Sequence, residues 1–337
     1  MDIHETKLGP NVLASVKDLK SGVKWGTATV VRNDAANLDG SVRVLHLSVA
    51  DHVDMLYGRR VKGVPDGSRW IESYTIPGQC VGVRVPGGGE PEAAPPQRLY
   101  AIASTPYASR RDSAYVDASL IEIVVERTAG PADAALADMG PGAQLEVTQV
   151  IGRGFCSLLD SYNGLVHAME EGRNLVLIGM GSRGMAALRS ALNWQPVLAH
   201  ASSGRSVAAL YVAHSASRAA FVTEWDSWRE AGMRLRPLYT NPNANVDDEA
   251  VVGNGHGSGS GEQQQQQQLD AGRAMDLLQV GLFMGEGGFD GICGGSASSA
   301  CFMLAGLPGD MASSLAKQLS AKGVAYDHIL FAQSDFF

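Results

Sequence analysis

Two stretches of this 337-residue chain carry residue types that recognise phosphate. From Asn174 to Leu192 it reads NLVLIGMGSRGMAALRSAL. Leu175, Val176, Leu177 and Ile178 form a short continuous apolar run, the pattern of a strand buried on both faces of a parallel sheet. Gly179, Gly181 and Gly184 then permit a sharp turn and a close backbone approach, and the following helix would direct free N–H groups and its positive dipole end at an anion. A tight strand-to-helix turn wants the same glycines, so turn and nucleotide site both stand at this point. The second stretch is Arg98-Leu99-Tyr100-Ala101-Ile102-Ala103-Ser104, a strand pattern behind Thr75-Ile76-Pro77-Gly78-Gln79. A guanidinium suits bidentate phosphate contact, and a strand holds an aromatic ring at a fixed angle for stacking.

Composition limits the alternatives. With 45% hydrophobic residues the chain has material for two packed cores. Its apolar runs are broken well before bilayer length, so no membrane span is expected. A net charge of -8 argues against general nucleic-acid binding. Cys80, Cys156, Cys293 and Cys301 show no C-x-x-C pairing and sit in or beside apolar segments, as reduced buried thiols do. The eight histidines are scattered, without the close spacing of a metal site, and no protein-held metal is predicted. The opening MDIHETKLGPN is acidic and polar, which fits a cytosolic protein, or a chain whose leader is missing.

Six strand patterns occupy the first half: Thr27 to Arg32, Ser41 to Ser48, Gln79 to Val85, Leu99 to Ser104, Leu120 to Glu126 and Gln144 to Ile151. With no long helix between them they predict an antiparallel barrel. Asp34 to Gly40 is a turn-rich bend, and Gly58 to Ser73 reads as an exposed insertion. The second half alternates: strand Val207 to Ala213, helix Ala219 to Ala231 carrying Phe221, Trp225 and Trp228, strand Leu235 to Tyr239, helix Leu269 to Phe283, strand Cys301 to Ala305, helix Gly309 to Lys322 and strand His328 to Phe331. Such alternation predicts a doubly wound parallel α/β sheet. Asn241 to Gln268, with its Gly/Ser tract and six glutamines, reads as a disordered insertion. The predicted organisation is an N-terminal tail over 1–23, a barrel domain over 24–165 and an α/β domain over 170–337 interrupted at 241–268.

The P-G-Q before one strand and R-x-Y on the next resemble the ferredoxin-NADP reductase superfamily. So do Leu136 to Gly142, similar to the family's short helix and turn, and Gly152-Arg153-Gly154-Phe155, similar to its barrel closure. The A-I-A-S strand and the V-x-G-x-G-F closure are most similar to a plant and algal branch of ferredoxin reductase-like FAD/NAD(P) oxidoreductases. The resemblance covers roughly Trp25 to Phe331 and implies an FAD-binding barrel followed by an NAD(P)-binding domain. It would put FAD on Arg98, Tyr100, Ala101, Ile102, Ser104 and Gly130, and NAD(P)H on Gly181, Ser182, Gly184, Met185 and Gly306. Ser217 and Arg218 either meet an adenosine 2′-phosphate or are a helix cap and an exposed charge. The branch implies a chloroplast location if a transit peptide is missing, and a small electron-acceptor protein or small molecule as partner. No catalytic residue is named.

Several positions depart from that pattern. Ala101 stands where a Ser or Thr would hydrogen-bond the flavin. Asp133 stands near the expected flavin diphosphate, which it would repel, though it is also a good helix cap. The glycine bend carries an extra Arg183, with Ala187 in place of proline, and Ala305 replaces a cysteine that would face the nicotinamide. The alternative expectation is a reductase-like fold with weakened catalysis, serving as a binding or scaffold subunit.

Overall fold

Strand β1 (Trp25–Ala35) pairs antiparallel with β2 (Val42–Ala50) and with β8 (Gln144–Thr148), and this nucleus grows into a six-stranded sheet. A two-stranded hairpin, β3 (Met55–Leu56) and β4 (Arg59–Arg60), stands apart from it. With β5 (Cys80–Arg84), β6 (Gln97–Ala101) and β7 (Ala118–Glu126) the order is β6-β5-β8-β1-β2-β7. A bridge from Ile102 to Ile123, reinforced by Ala103 N–H donating to the Glu122 carbonyl at 2.8 Å, joins the two edges and closes the barrel. The computed structural model describes residues 25–50, 55–56, 59–60, 70, 74–85, 97–106, 118–158, 164–242, 271–285 and 287–332. The predicted tail and the predicted insertion from 243 onward lie outside them.

Alternation in the sequence decides which residues fill the barrel. Leu45, Leu47 and Val49 of β2, Ile121, Ile123 and Val125 of β7, and Leu145 and Val147 of β8 pack its interior. Their neighbours Val42, Val44 and Val124 point outward and are nevertheless buried, because the second domain lies against them. A strand apolar on both faces is thus explained by two cores sharing it. Helix α1 (Pro131–Ala137) adds Leu136 to the barrel core.

Two loop motifs interlock beneath the barrel. Gln79 accepts from the Thr75 and Ile76 N–H groups at 2.8 and 3.1 Å and donates to the Gly152 carbonyl at 2.7 Å. Phe155 N–H donates to the Pro77 carbonyl at 3.1 Å. A Cβ at Gly78 would stand 2.7 Å from Phe155 N, and one at Gly154, where φ is +78°, would stand 2.5 Å from Pro77 O. The loops touch backbone to backbone.

The second sheet has the order β12-β11-β10-β13-β14-β9, formed by β9 (Cys156–Ser157), β10 (Asn174–Met180), β11 (Val207–Ala213), β12 (Arg234–Tyr239), β13 (Ala300–Ala305) and β14 (Ile329–Phe331). All pairs are parallel except β9 with β14. Helices α2 (Leu165–Glu170), α3 (Gly181–Leu192), α4 (Gln195–Ser202) and α5 (Trp225–Glu230) precede a helix α6 over 271–279, then α7 (Gly288–Cys293) and α8 (Gly309–Ala321). Leu175 and Leu177 face α3 and the barrel, while Val176 and Ile178 face α6 and α8. The sheet is therefore covered on both sides, as its near-continuous apolar strands require.

Three details differ from the sequence expectation. The helix expected over Ala219 to Ala231 begins only at Trp225, after a short 3-10 turn, because Phe221 is held at φ +56° by its N–H donating to the Ala36 carbonyl at 2.7 Å. Cys156 and Ser157, expected within the barrel domain, instead pair with β14 and extend the second sheet. Helices α2, α4 and α7, too short for a strong period, were not anticipated.

At the carboxyl ends of β10 and β13 the strand order reverses, and glycines make the close approach possible. A Cβ at Gly306, where φ is +72°, would stand 2.3 Å from Met180 O and 2.5 Å from Gly184 N. One at Gly184 would stand 2.6 Å from Ala305 O. Gly306→Ala is expected to destabilise the protein by about 3 kcal/mol, combining left-handed strain with overpacking. Chemical denaturation measures it, and a loss below about 1 kcal/mol would show that the contact is not tight.

Candidate functional site

Open parallel sheets bind ligands outside the carboxyl ends of their strands, where the order reverses. Here β10 ends at Met180 and α3 begins at Gly181 with no loop between them. Gly181 has φ +63°, and open space lies where its Cβ would stand. No side chain from the preceding residue caps this helix start, so its first-turn N–H groups and positive dipole end face outward. The space in front is a cleft of about 160 Å³ between the domains, lined among others by Gly181, Ser182, His214, Arg218, Thr240 and Glu126.

Glu126 ends β7 and belongs to the barrel. Ser182 Oγ donates to its Oε2 at 2.9 Å, which brings a carboxylate to the first turn of α3. A second contact from the barrel, through the β1 to β2 turn, reaches Arg218 of the cleft wall from behind its neighbour Ser217. Leu38 and Asp39 N–H groups donate to the Ser217 carbonyl at 3.1 and 3.4 Å, and Asp39 Oδ2 lies 3.6 Å from Arg218 Nε.

A second cluster forms where β6 passes the start of α1. Arg98 Nη1 donates to the Ala129 carbonyl at 3.2 Å and pairs with the Asp133 carboxylate, which is only 3% exposed. Gly130 faces this pair, since a Cβ there would stand 3.8 Å from Asp133 Oδ2 and 4.0 Å from Arg98 Nη1. Tyr100 lies on the same face of β6 with its ring in the barrel core. Its hydroxyl is buried and makes no hydrogen bond of normal geometry among the described residues. Burial, and then the neighbouring Asp133 charge, push its ionisation well above the ordinary tyrosine range.

An ion network pins the domains together near the far end of α3. Arg189 pairs with Glu122 of β7, donates to Glu224 Oε1 at 2.8 Å, and stacks over Phe221 with 4.4 Å from its guanidinium carbon to the ring centre. His46 Nδ1 lies 3.1 Å from Glu122 Oε1 and its Nε2 3.3 Å from Asp34 Oδ2. Ser190 Oγ donates to the Ser104 carbonyl at 2.9 Å, and Tyr74 shares both partners. A hollow of about 460 Å³ opens here, larger than the cleft, but the charged groups on its wall already answer one another.

The sequence-predicted residues therefore separate into groups. Arg98, Tyr100 and Gly130 converge, and Gly181, Ser182 and Arg218 converge. Gly184 and Gly306 form the close backbone contact, and Met185 is fully buried in the core. Ala101 is buried in the seam between domains, Ile102 closes the barrel, and Ser104 accepts the Glu122 N–H at 3.1 Å. Ala305, standing where the resemblance places a cysteine that would face the nicotinamide, is fully buried in the core. Glu126 and Asp39 were missed; one reads as a strand end and the other as a turn residue, and only the packing of two domains gives them a shared destination.

No protein-family model matches the sequence, and no curated protein matches it. Solved structures do. A cytochrome P450 reductase, GcoB, from Amycolatopsis is similar at TM-score 0.54 and 17% identity, over 92% of this chain and 70% of its own. A ferredoxin NADP+ reductase from Neisseria gonorrhoeae, solved with bound FAD and NADP, reaches 0.53 and 15%, over 92% and 98%. The CS-b5R domains of human Ncb5or, in the NAD+ form, reach 0.52 and 13%, over 93% and 71%. At these identities the likeness shows the fold, a two-domain ferredoxin reductase-like arrangement.

The Glu122 network generates a pH prediction. Burial alone would raise the Glu122 pKa, but hydrogen bonds and charge from His46 and Arg189 outweigh it and hold it down to about 2. A carboxylate depressed on folding adds stability above its unfolded value, and that stability drains away as pH falls through the folded one. Stability should thus decline from roughly pH 4.5 toward pH 2, with a Glu122→Gln variant losing this part of the slope. Leaving Arg189 without this partner should also cost about 3 kcal/mol at pH 7. Denaturant titration across pH checks both, and an unchanged acid slope in the variant would count against the assignment.

Proposed function

We propose that this chain is a flavin-dependent oxidoreductase that takes reducing equivalents from NAD(P)H through FAD to a small electron-acceptor protein or a small molecule. The observation that carries the reading is the uncapped start of α3 at the sheet's switch point, opening onto a barrel whose own Arg98 and Tyr100 stand on one strand. The A-I-A-S strand and V-x-G-x-G-F closure favour the plant and algal branch of such proteins.

The residues present fit both groups. At α3 a positive dipole end, a glycine without a Cβ and a serine hydroxyl suit a dinucleotide diphosphate. At β6 the Arg98 guanidinium faces Gly130, and the Tyr100 hydroxyl, without a hydrogen bond of normal geometry among the described residues, lies near the same Arg98–Asp133 pair, which suits a flavin and its diphosphate. Asp133 is the exception, because its charge opposes phosphate and must leave Arg98 when phosphate arrives. A bound flavin supplies the ability to accept hydride and release single electrons. The chain's part is positional. Arg98 anchors one diphosphate, α3 and Ser182 anchor the other, and the Val42, Val124 and Ala101 side chains keep the seam beside them apolar.

One observation favours a second reading. Because Asp133 neutralises Arg98 and Glu126 hydrogen-bonds the α3 start, both anion sites already hold a carboxylate of the chain itself. That suits a reductase-like scaffold with little affinity for either cofactor. The visible spectrum of the purified full chain separates the two. A flavin spectrum, native or after adding FAD, supports the oxidoreductase, and a colourless protein that takes up none supports the scaffold. In the same titration Arg98→Ala should weaken FAD binding by about 1.5 to 3 kcal/mol, and Asp133→Ser should tighten it. Unaltered affinity in Arg98→Ala would remove Arg98 from the site.

A further inference from the structure

Resting on the dinucleotide reading of the cleft, we infer that Asp39, delivered by the barrel's β1 to β2 turn, makes the site select NADH over NADPH. In sheets of this kind the residues after the second strand meet the adenosine ribose. A carboxylate there binds the free 2′-hydroxyl, whereas an arginine accommodates a 2′-phosphate. Here both kinds of group meet beside the segment after β11, and they come from different domains. Arg218 lines the cleft from the α/β domain. Asp39 lies against it from the barrel, with Oδ2 3.6 Å from Arg218 Nε.

The position of Asp39 is built. Its N–H donates to the Ser217 carbonyl at 3.4 Å, which ties the turn to the segment after β11. Its Oδ1 accepts from Asn37 Nδ2 at 2.7 Å and from the Ser41 N–H at 2.8 Å, so one carboxylate oxygen is committed to the turn. The other is directed at Arg218 across a gap longer than a normal hydrogen bond. That oxygen is placed to accept a ribose hydroxyl. It also offsets the arginine charge that would draw a 2′-phosphate, and would repel that phosphate directly. Glu126 on the same cleft adds a second negative charge.

Asp39→Asn is the discriminating variant, because its carbonyl oxygen can keep both turn bonds while the charge is lost. Calorimetric titration of the full chain with NADH and with NADPH reads the result. The parent should bind NADH at least tenfold more tightly, and Asp39→Asn should shrink that ratio at least fivefold, chiefly through tighter NADPH. Arg218→Ala placed on the Asn variant should restore discrimination by weakening NADPH again. A parent that binds NADPH as tightly as NADH, or a ratio unmoved by Asp39→Asn, overturns the inference while leaving the oxidoreductase reading intact. Binding of neither dinucleotide at millimolar concentration overturns both the inference and the dinucleotide half of that reading. The flavin spectrum of the same sample then judges the other half.

Discussion

The contact on which the rest depends is backbone against backbone at the end of β10. Helix α3 can begin directly at Gly181 only because Gly179, Gly184 and Gly306 let helix, strand and the turn after β13 approach more closely than any side chain would permit. That approach puts the helix start, rather than its flank, at the point where the sheet order reverses. It also lays the other face of α3 along the barrel, where Ala101 and Ala103 are small enough to admit it. One constraint therefore sets both the orientation of the dipole and the seam between domains.

Across that seam the chemistry is mostly acid meeting base or acid meeting helix. Glu122 answers Arg189, Asp133 answers Arg98, Asp39 approaches Arg218 and Glu126 meets Ser182. In three of these pairs the acid comes from the barrel and its counterpart from the α/β domain; the exception, Asp133 with Arg98, lies within the barrel. An ion pair that loses water is worth little by itself, but removing one partner leaves a buried charge and is expensive. The network thus fixes register between domains more than it adds stability.

Much of this was legible in the residues. The six barrel strands and the opening of the parallel sheet follow from alternation, apolar runs and turn chemistry, which act over a few residues, whereas the pairing of Arg98 with Gly130 came from the family resemblance. Phe221 shows where such reading ends. Its local sequence suits a helix, yet a carbonyl from Ala36, far off in the chain, holds it in a left-handed turn and delays the helix to Trp225. Asp39 and Glu126 escaped for the same reason, since their significance comes from a partner in the other domain. A motif gives spacing but not which side chains the packing turns inward, and Met185 and Ala305 are both buried.

The small strand β9 has a mechanical consequence. It lies in the segment connecting the two domains, and by pairing with β14 it stitches that connection onto the sheet. A free connector would act as a hinge. This one is paired to the sheet at Cys156 and Ser157 and tied to the barrel by Gln79 donating to the Gly152 carbonyl just ahead of it. The two domains are thus joined through the sheet itself as well as across the seam.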